Sequence, residues 1–158
     1  STAAGVFRYV PPTTPQGAWD VTCLLVQPTS DIVATDFDGD GKLEILTFSK
    51  FHGDTLAIWH EGETRDRYEQ VWCDPQKRSF LHALWAAELN GEKCAVIGNR
   101  KDGRDLLLVR YVDGGYTVDV IDHDLGPANC MVYRHDGSDY IVAAYRETDQ
   151  LALYKVVE

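Results

Sequence analysis

The sequence predicts an all-β fold built from a repeated four-stranded unit, and three observations carry that prediction. Short runs rich in β-branched and aromatic residues recur along the chain, bounded by Gly, Asn, Asp and Pro. Apolar residues nowhere sustain helical spacing. The chain also superimposes on itself at a period of roughly 40–50 residues, the range that marks a repeat architecture.

Taken in order, Gly5-Val-Phe-Arg-Tyr-Val10, a Pro/Thr-rich turn to Gly17, and Trp19-Asp-Val-Thr-Cys-Leu-Leu-Val26 predict one hairpin. The first full window follows: Asp31-Ile-Val-Ala-Thr35, an acidic loop, Leu43 to Lys50, Thr55-Leu-Ala-Ile-Trp59 and Tyr68 to Cys73. The second runs His82 to Glu88, an Asn90-Gly91 turn, Cys94 to Arg100, Asp105 to Tyr111 and Tyr116 to Ile121. The third runs Asn129 to Arg134, an Asp136-Gly137 turn, Tyr140 to Arg146 and Gln150 to Val157. Asn-Gly and Asp-Gly are the strongest short hairpin signals, because both central residues of a type I′ turn need positive φ. The tally is about 13 strands: a hairpin over 1–27, four-stranded units over 28–74 and 75–124, and a unit over 125–158 lacking its last strand.

In the first window the tight turn is replaced by Asp36-Phe-Asp-Gly-Asp-Gly-Lys-Leu-Glu44. Carboxylates of Asp36, Asp38, Asp40 and Glu44, with the Lys42 carbonyl, offer the oxygen shell that calcium requires. Gly39 and Gly41 permit the backbone angles of a tight loop. An EF-hand would place its closing Glu at the twelfth position, which here is Thr47. The competing reading is a solvated polar turn.

A D-x-D-x-D-G-x-x-[DE] loop between Asp31-Ile-Val-Ala-Thr35 and Leu43-Glu-Ile-Leu-Thr47 resembles the FG-GAP or VCBS type of propeller repeat. That resemblance implies a calcium loop joining the first two strands of a blade, with Glu44 standing where the family more often has Asp. The chain then reads as a β-propeller fragment of about three four-stranded blades, part of a larger ring or completed by another chain, since propellers close with four to eight blades. A sandwich or barrel of the same strands is the structural alternative. Unpaired strand edges at both ends lead to the expectation of a second copy or a companion fragment.

In such a blade the loops leaving each second strand lie at the end opposite the acidic loop. Lys50, Arg100 and Arg146 recur there at spacings of 50 and 46 residues. His52 and Arg104 follow them closely, and His82, His123 and Asn129 fall near the entry to the next unit. This predicts a ligand-binding mouth for an anionic or polyhydroxylated small molecule, carbohydrate included. The competing reading pairs Arg100 and Arg146 with Asp102, Asp105 or Glu147. Asp122-His123-Asp124 has the residue types of an acid/base or metal cluster, yet its setting is that of an ordinary loop. His60 and His135 read as solvent-facing turn histidines. Trp59, Trp72, Trp85 and Tyr111 read as strand residues packed in a core.

His82-Ala-Leu-Trp85, Gly98-Asn-Arg100 and Gly126-Pro-Ala-Asn129 are also similar to the propeller domain of aldos-2-ulose dehydratases. That similarity implies water elimination from a keto-sugar with His82 as the base. No G-x-S-x-G, HExxH or phosphate-cradling glycine loop is present.

With 158 residues, 44% hydrophobic, the chain has enough material for one sizeable core. A net charge of −10 argues against a nucleic-acid or anionic-membrane surface. No apolar run approaches a membrane span, and residues 1–5 lack signal-peptide character. Cys23, Cys73, Cys94 and Cys130 are widely spaced in apolar surroundings and predict buried free thiols, which slightly favour the cytoplasm. A signal removed upstream would place the chain outside the cell.

Overall fold

The computed structural model describes residues 4–50 and 53–157, which form thirteen β-strands in four antiparallel sheets. The first sheet pairs β1 (Val6–Val10) with β2 (Asp20–Leu25). The second runs β3 (Thr29–Thr35), β4 (Glu44–Ser49), β5 (Thr55–Glu61) and β6 (Tyr68–Cys73) in sequence order. The third has β7 (Leu81–Leu89), β8 (Glu92–Asn99), β9 (Leu106–Val112) and β10 (Gly115–Asp122). The fourth has β11 (Pro127–His135), β12 (Ser138–Tyr145) and β13 (Gln150–Lys155). None of the sheets closes on itself, and each is a simple meander.

Turn chemistry sets these registers. At Asn90-Gly91, Asp113-Gly114 and Asp136-Gly137 both central residues take positive φ, the requirement of a two-residue type I′ hairpin. The repeat is visible in the backbone as well. The first strands of the last three sheets each carry a register shift at the same place, between Thr29 and Asp31, Leu81 and Ala83, and Pro127 and Asn129. A bulge of this kind re-aims the side chain it carries. The skipped residues are Ser30, His82 and Ala128.

Burial explains why the middle strands read as continuous apolar runs, since a sheet covered on both faces has no polar side. On β8, Ala95 and Ile97 face the second sheet's Leu46, Phe48, Leu56 and Ile58, whereas Cys94 and Val96 face the fourth sheet's Cys130, Ile141 and Ala143. A smaller cluster joins Val6 and Leu25 to Ile45, which seats the first sheet on the second. In β12 burial alternates along the strand, as one covered face requires.

Polar links reinforce the stack. Arg78 donates from Nε to Asp74 Oδ2 at 2.9 Å and lies 3.7 Å from Asp105 Oδ2, all three residues being buried. Tyr154 donates its hydroxyl to Asp122 at 2.6 Å and meets Tyr145 Oη at 2.5 Å, tying β10 to β12 and β13.

All four cysteines are free, but only Cys94 and Cys130 are buried. Cys73, expected inside, is exposed because it ends the outer strand β6. Trp85, also expected in a core, is 41% exposed: its face of β7 looks into a groove shared with Asn129, Cys130 and Met131.

Candidate metal centre

The acidic loop folds on its own amides. Asp36 accepts from Gly39 N–H at 2.8 Å and Gly41 N–H at 3.0 Å, one to each carboxylate oxygen. Asp38 accepts from Asp40 N–H at 3.1 Å, and Asp40 from Lys42 N–H at 2.8 Å. Gly39 and Gly41 carry φ of +77° and +88°, so the loop needs residues without a β-carbon there. Phe37 anchors the loop by inserting into the core between the second and third sheets, edge-on to Tyr116 of β10. Lys42 remains at the surface, its Nζ 3.4 Å from the Glu61 carbonyl.

Within this frame Asp38, Asp40 and Glu44 present carboxylate oxygens to a fourth residue, His60 of β5. The four potential ligand atoms lie within 4.8 Å of one another, a spacing that lets one ion reach them all. His60 Nε2 is 3.0 Å from Asp40 Oδ2 and 3.5 Å from Glu44 Oε1. Glu44 is fully buried. Its Oε2 accepts from Phe37 N–H at 2.6 Å, while Oε1 has no hydrogen-bond partner among the described residues. Burial pushes the Glu44 carboxyl above its ordinary range, against the Phe37 amide, and the charges of Asp38 and Asp36 push the same way. A buried acid with one oxygen orphaned and aimed into a group of ligand atoms is the environment a bound cation stabilises. The donor set therefore fits a divalent cation. Asp36 stands outside this group, closing the loop from behind.

His60 is not the solvent-facing turn residue that the sequence suggested. It belongs to β5, and its side chain is 20% exposed. Ile45 pairs with Trp59, so the residues next to them, Glu44 and His60, lie at the same end of the β4–β5 hairpin, while His60 itself pairs with Glu69 of β6.

The strand pairing puts the other candidates at the opposite end of the sheets. Loops there are knitted by backbone bonds, including Leu81 N–H to Gly53 O, Arg100 N–H to Phe80 O and Leu125 N–H to Arg104 O. Arg100 pairs with Glu147 at 2.6 Å and its guanidinium lies 5.1 Å from the Phe80 ring centre. Arg104 lies 3.5 Å from Asp124, and His123 is 2.8 Å from the same side chain. That contact raises the His123 pKa above its ordinary value. Lys50 and Arg146 are exposed, Lys50 with φ of +61°. His82, at its bulge, sets Nδ1 2.9 Å from the Ala128 carbonyl and stacks on Phe80. Asn129 is exposed and its side chain accepts from Cys130 N–H. His52 lies outside the described residues. The end thus gathers cations with carboxylates, and Arg100, Arg104 and His123 each have an acidic neighbour.

Compared with known proteins, the chain matches no family model and no curated sequence.

Proposed function

We propose that the chain is a cation-stabilised binding module of the β-propeller kind, its four sheets being successive blades and its acidic loop holding a divalent cation, calcium among those it would take. The observation that carries the reading is Glu44 Oε1, buried, without a hydrogen bond among the described residues, and grouped with Asp38, Asp40 and His60. Stacked sequence-ordered meanders with a repeated first-strand bulge support the blade assignment. A strand from another segment or chain would pair the outer edge of β13, where Leu151 and Leu153 are exposed.

The opposite end, with Lys50, Arg100, Arg104, His123, Asn129 and Arg146, is the ligand face in this reading, suited to an acidic or hydroxyl-rich carbohydrate. The keto-sugar elimination considered from the sequence has less support, because the metal-capable group and His82 lie at opposite ends of their strands. The test has two arms. Calcium should raise the melting temperature of the wild type and leave Asp38→Ala unmoved. Calorimetry with uronic acids, sugar phosphates and keto-sugars should give heats that an Arg100→Ala/Arg146→Ala variant loses while still folded. Equal calcium responses in wild type and Asp38→Ala would remove the metal assignment; unchanged ligand heats would move the ligand site elsewhere.

A further inference from the structure

We infer that His60 is a direct metal ligand, and that its nitrogen makes the centre take manganese(II) and related first-row divalent cations more tightly than calcium. The inference rests on the reading of Asp38, Asp40 and Glu44 as a cation site and specifies which ion that site selects.

Three observations carry it. First, Nε2 of His60 faces two carboxylates at once, 3.0 Å from Asp40 Oδ2 and 3.5 Å from Glu44 Oε1. A proton on that nitrogen points into the space between them, which is where a cation shared by the four groups would sit. Second, Glu44 Oε1 is wholly buried, without a hydrogen-bond partner among the described residues, and directed into the same group. Third, His60 belongs to β5, where it pairs with Glu69 of β6, and not to the acidic loop, so its position is set by strand pairing. The loop closing on itself does not bring it there.

The chemistry follows from the donor count. Calcium takes six to eight oxygens and gains little from imidazole. Here Asp36 directs both oxygens to loop amides, leaving three carboxylates and one nitrogen. Such a set, completed by water, suits a smaller six-coordinate ion, and imidazole is a good ligand for the first-row metals.

The experiment uses the whole chain, stripped with chelator, and titrates Mn2+ and Ca2+ separately into wild type, His60→Ala and His60→Gln. Wild type should bind Mn2+ more tightly than Ca2+, because the imidazole nitrogen serves a first-row ion and not calcium. Even a partner outside the coordination shell costs about 10–100-fold in metal affinity, so losing His60 should weaken Mn2+ by at least that much. Calcium affinity should change by less than about threefold, since its shell uses oxygens. Pulsed electron paramagnetic resonance of Mn2+ in the wild type needs no variant, and should show coupling to one imidazole nitrogen. Binding of both ions without nitrogen coupling, or a Mn2+ preference that survives in both variants, would overturn the inference and leave the carboxylate site standing. Failure of both ions to bind wild type would overturn the site itself, and the inference with it.

Discussion

Replacing Glu44 with Gln should stabilise the metal-free protein and abolish its response to cations. Glu44 is fully buried, its Oε2 accepts from the Phe37 amide, and its Oε1 has no partner. An unsatisfied buried polar group costs about 1–3 kcal/mol, more when charged. Glutamine keeps an oxygen for Phe37, removes the charge, and adds an amide that can donate to Asp38 or Asp40. In chelator, Glu44→Gln should therefore exceed wild type by about 1–3 kcal/mol. For a chain of 158 residues each kcal/mol moves the melting temperature by about 2–4 °C, so calorimetry resolves the effect. With calcium at about a hundred times its Kd, wild type should gain about 2.7 kcal/mol and the variant almost nothing. The two proteins should thus close their gap or exchange order between chelator and calcium. A variant that melts below wild type in chelator, with an equal calcium response, would refute the argument.

Other expectations follow from buried groups elsewhere. Arg78→Ala leaves Asp74 and Asp105 buried without their cation and should cost about 3–5 kcal/mol in urea unfolding, whereas adding Asp74→Asn and Asp105→Asn should recover much of it. A loss below about 1 kcal/mol would show that the ion triad does not hold the sheets together. Burial raises the Cys94 thiol from 9.0 to about 11 and Cys130 from 9.0 to about 12. Above pH 9 the unfolded chain then releases thiol protons that the folded one keeps, so stability should fall as pH rises toward 11. The slope is at most about 1.4 kcal/mol per pH unit per thiol, and Cys94→Ala/Cys130→Ala should flatten it. In the native protein at pH 8 alkylation should reach Cys73 first; mass spectrometry showing Cys94 or Cys130 modified as fast would contradict their burial.

The strands were legible because their causes are local. Asn90-Gly91, Asp113-Gly114 and Asp136-Gly137 state their turns outright, and the apolar runs between them leave little choice of structure. The acidic loop was legible for the same reason, as its spacing places carboxylates around glycines. His60 was not, because it read as a solvent-facing turn histidine, and only its place in β5, beside the Trp59–Ile45 pair, brings it to Glu44. Arg100 shows the limit of reading in phase. Its recurrence with Lys50 and Arg146 suggested a cationic ring, and the pairing with Glu147, offered as the competing reading, is the one formed, while the Phe80 ring beside it comes from a neighbouring segment. Trp85 depends equally on context, since whether an inward-pointing aromatic is covered depends on what the next sheet places against it.

The most direct test of the cation centre is a crystal structure of the wild type grown with Mn2+, with anomalous data collected at the manganese absorption edge. The account predicts one strong anomalous peak bounded by the carboxylates of Asp38, Asp40 and Glu44 and by Nε2 of His60, with Asp36 still accepting from the amides of Gly39 and Gly41. No peak there at saturating Mn2+, with Glu44 Oε1 hydrogen-bonded to protein or water, would contradict it.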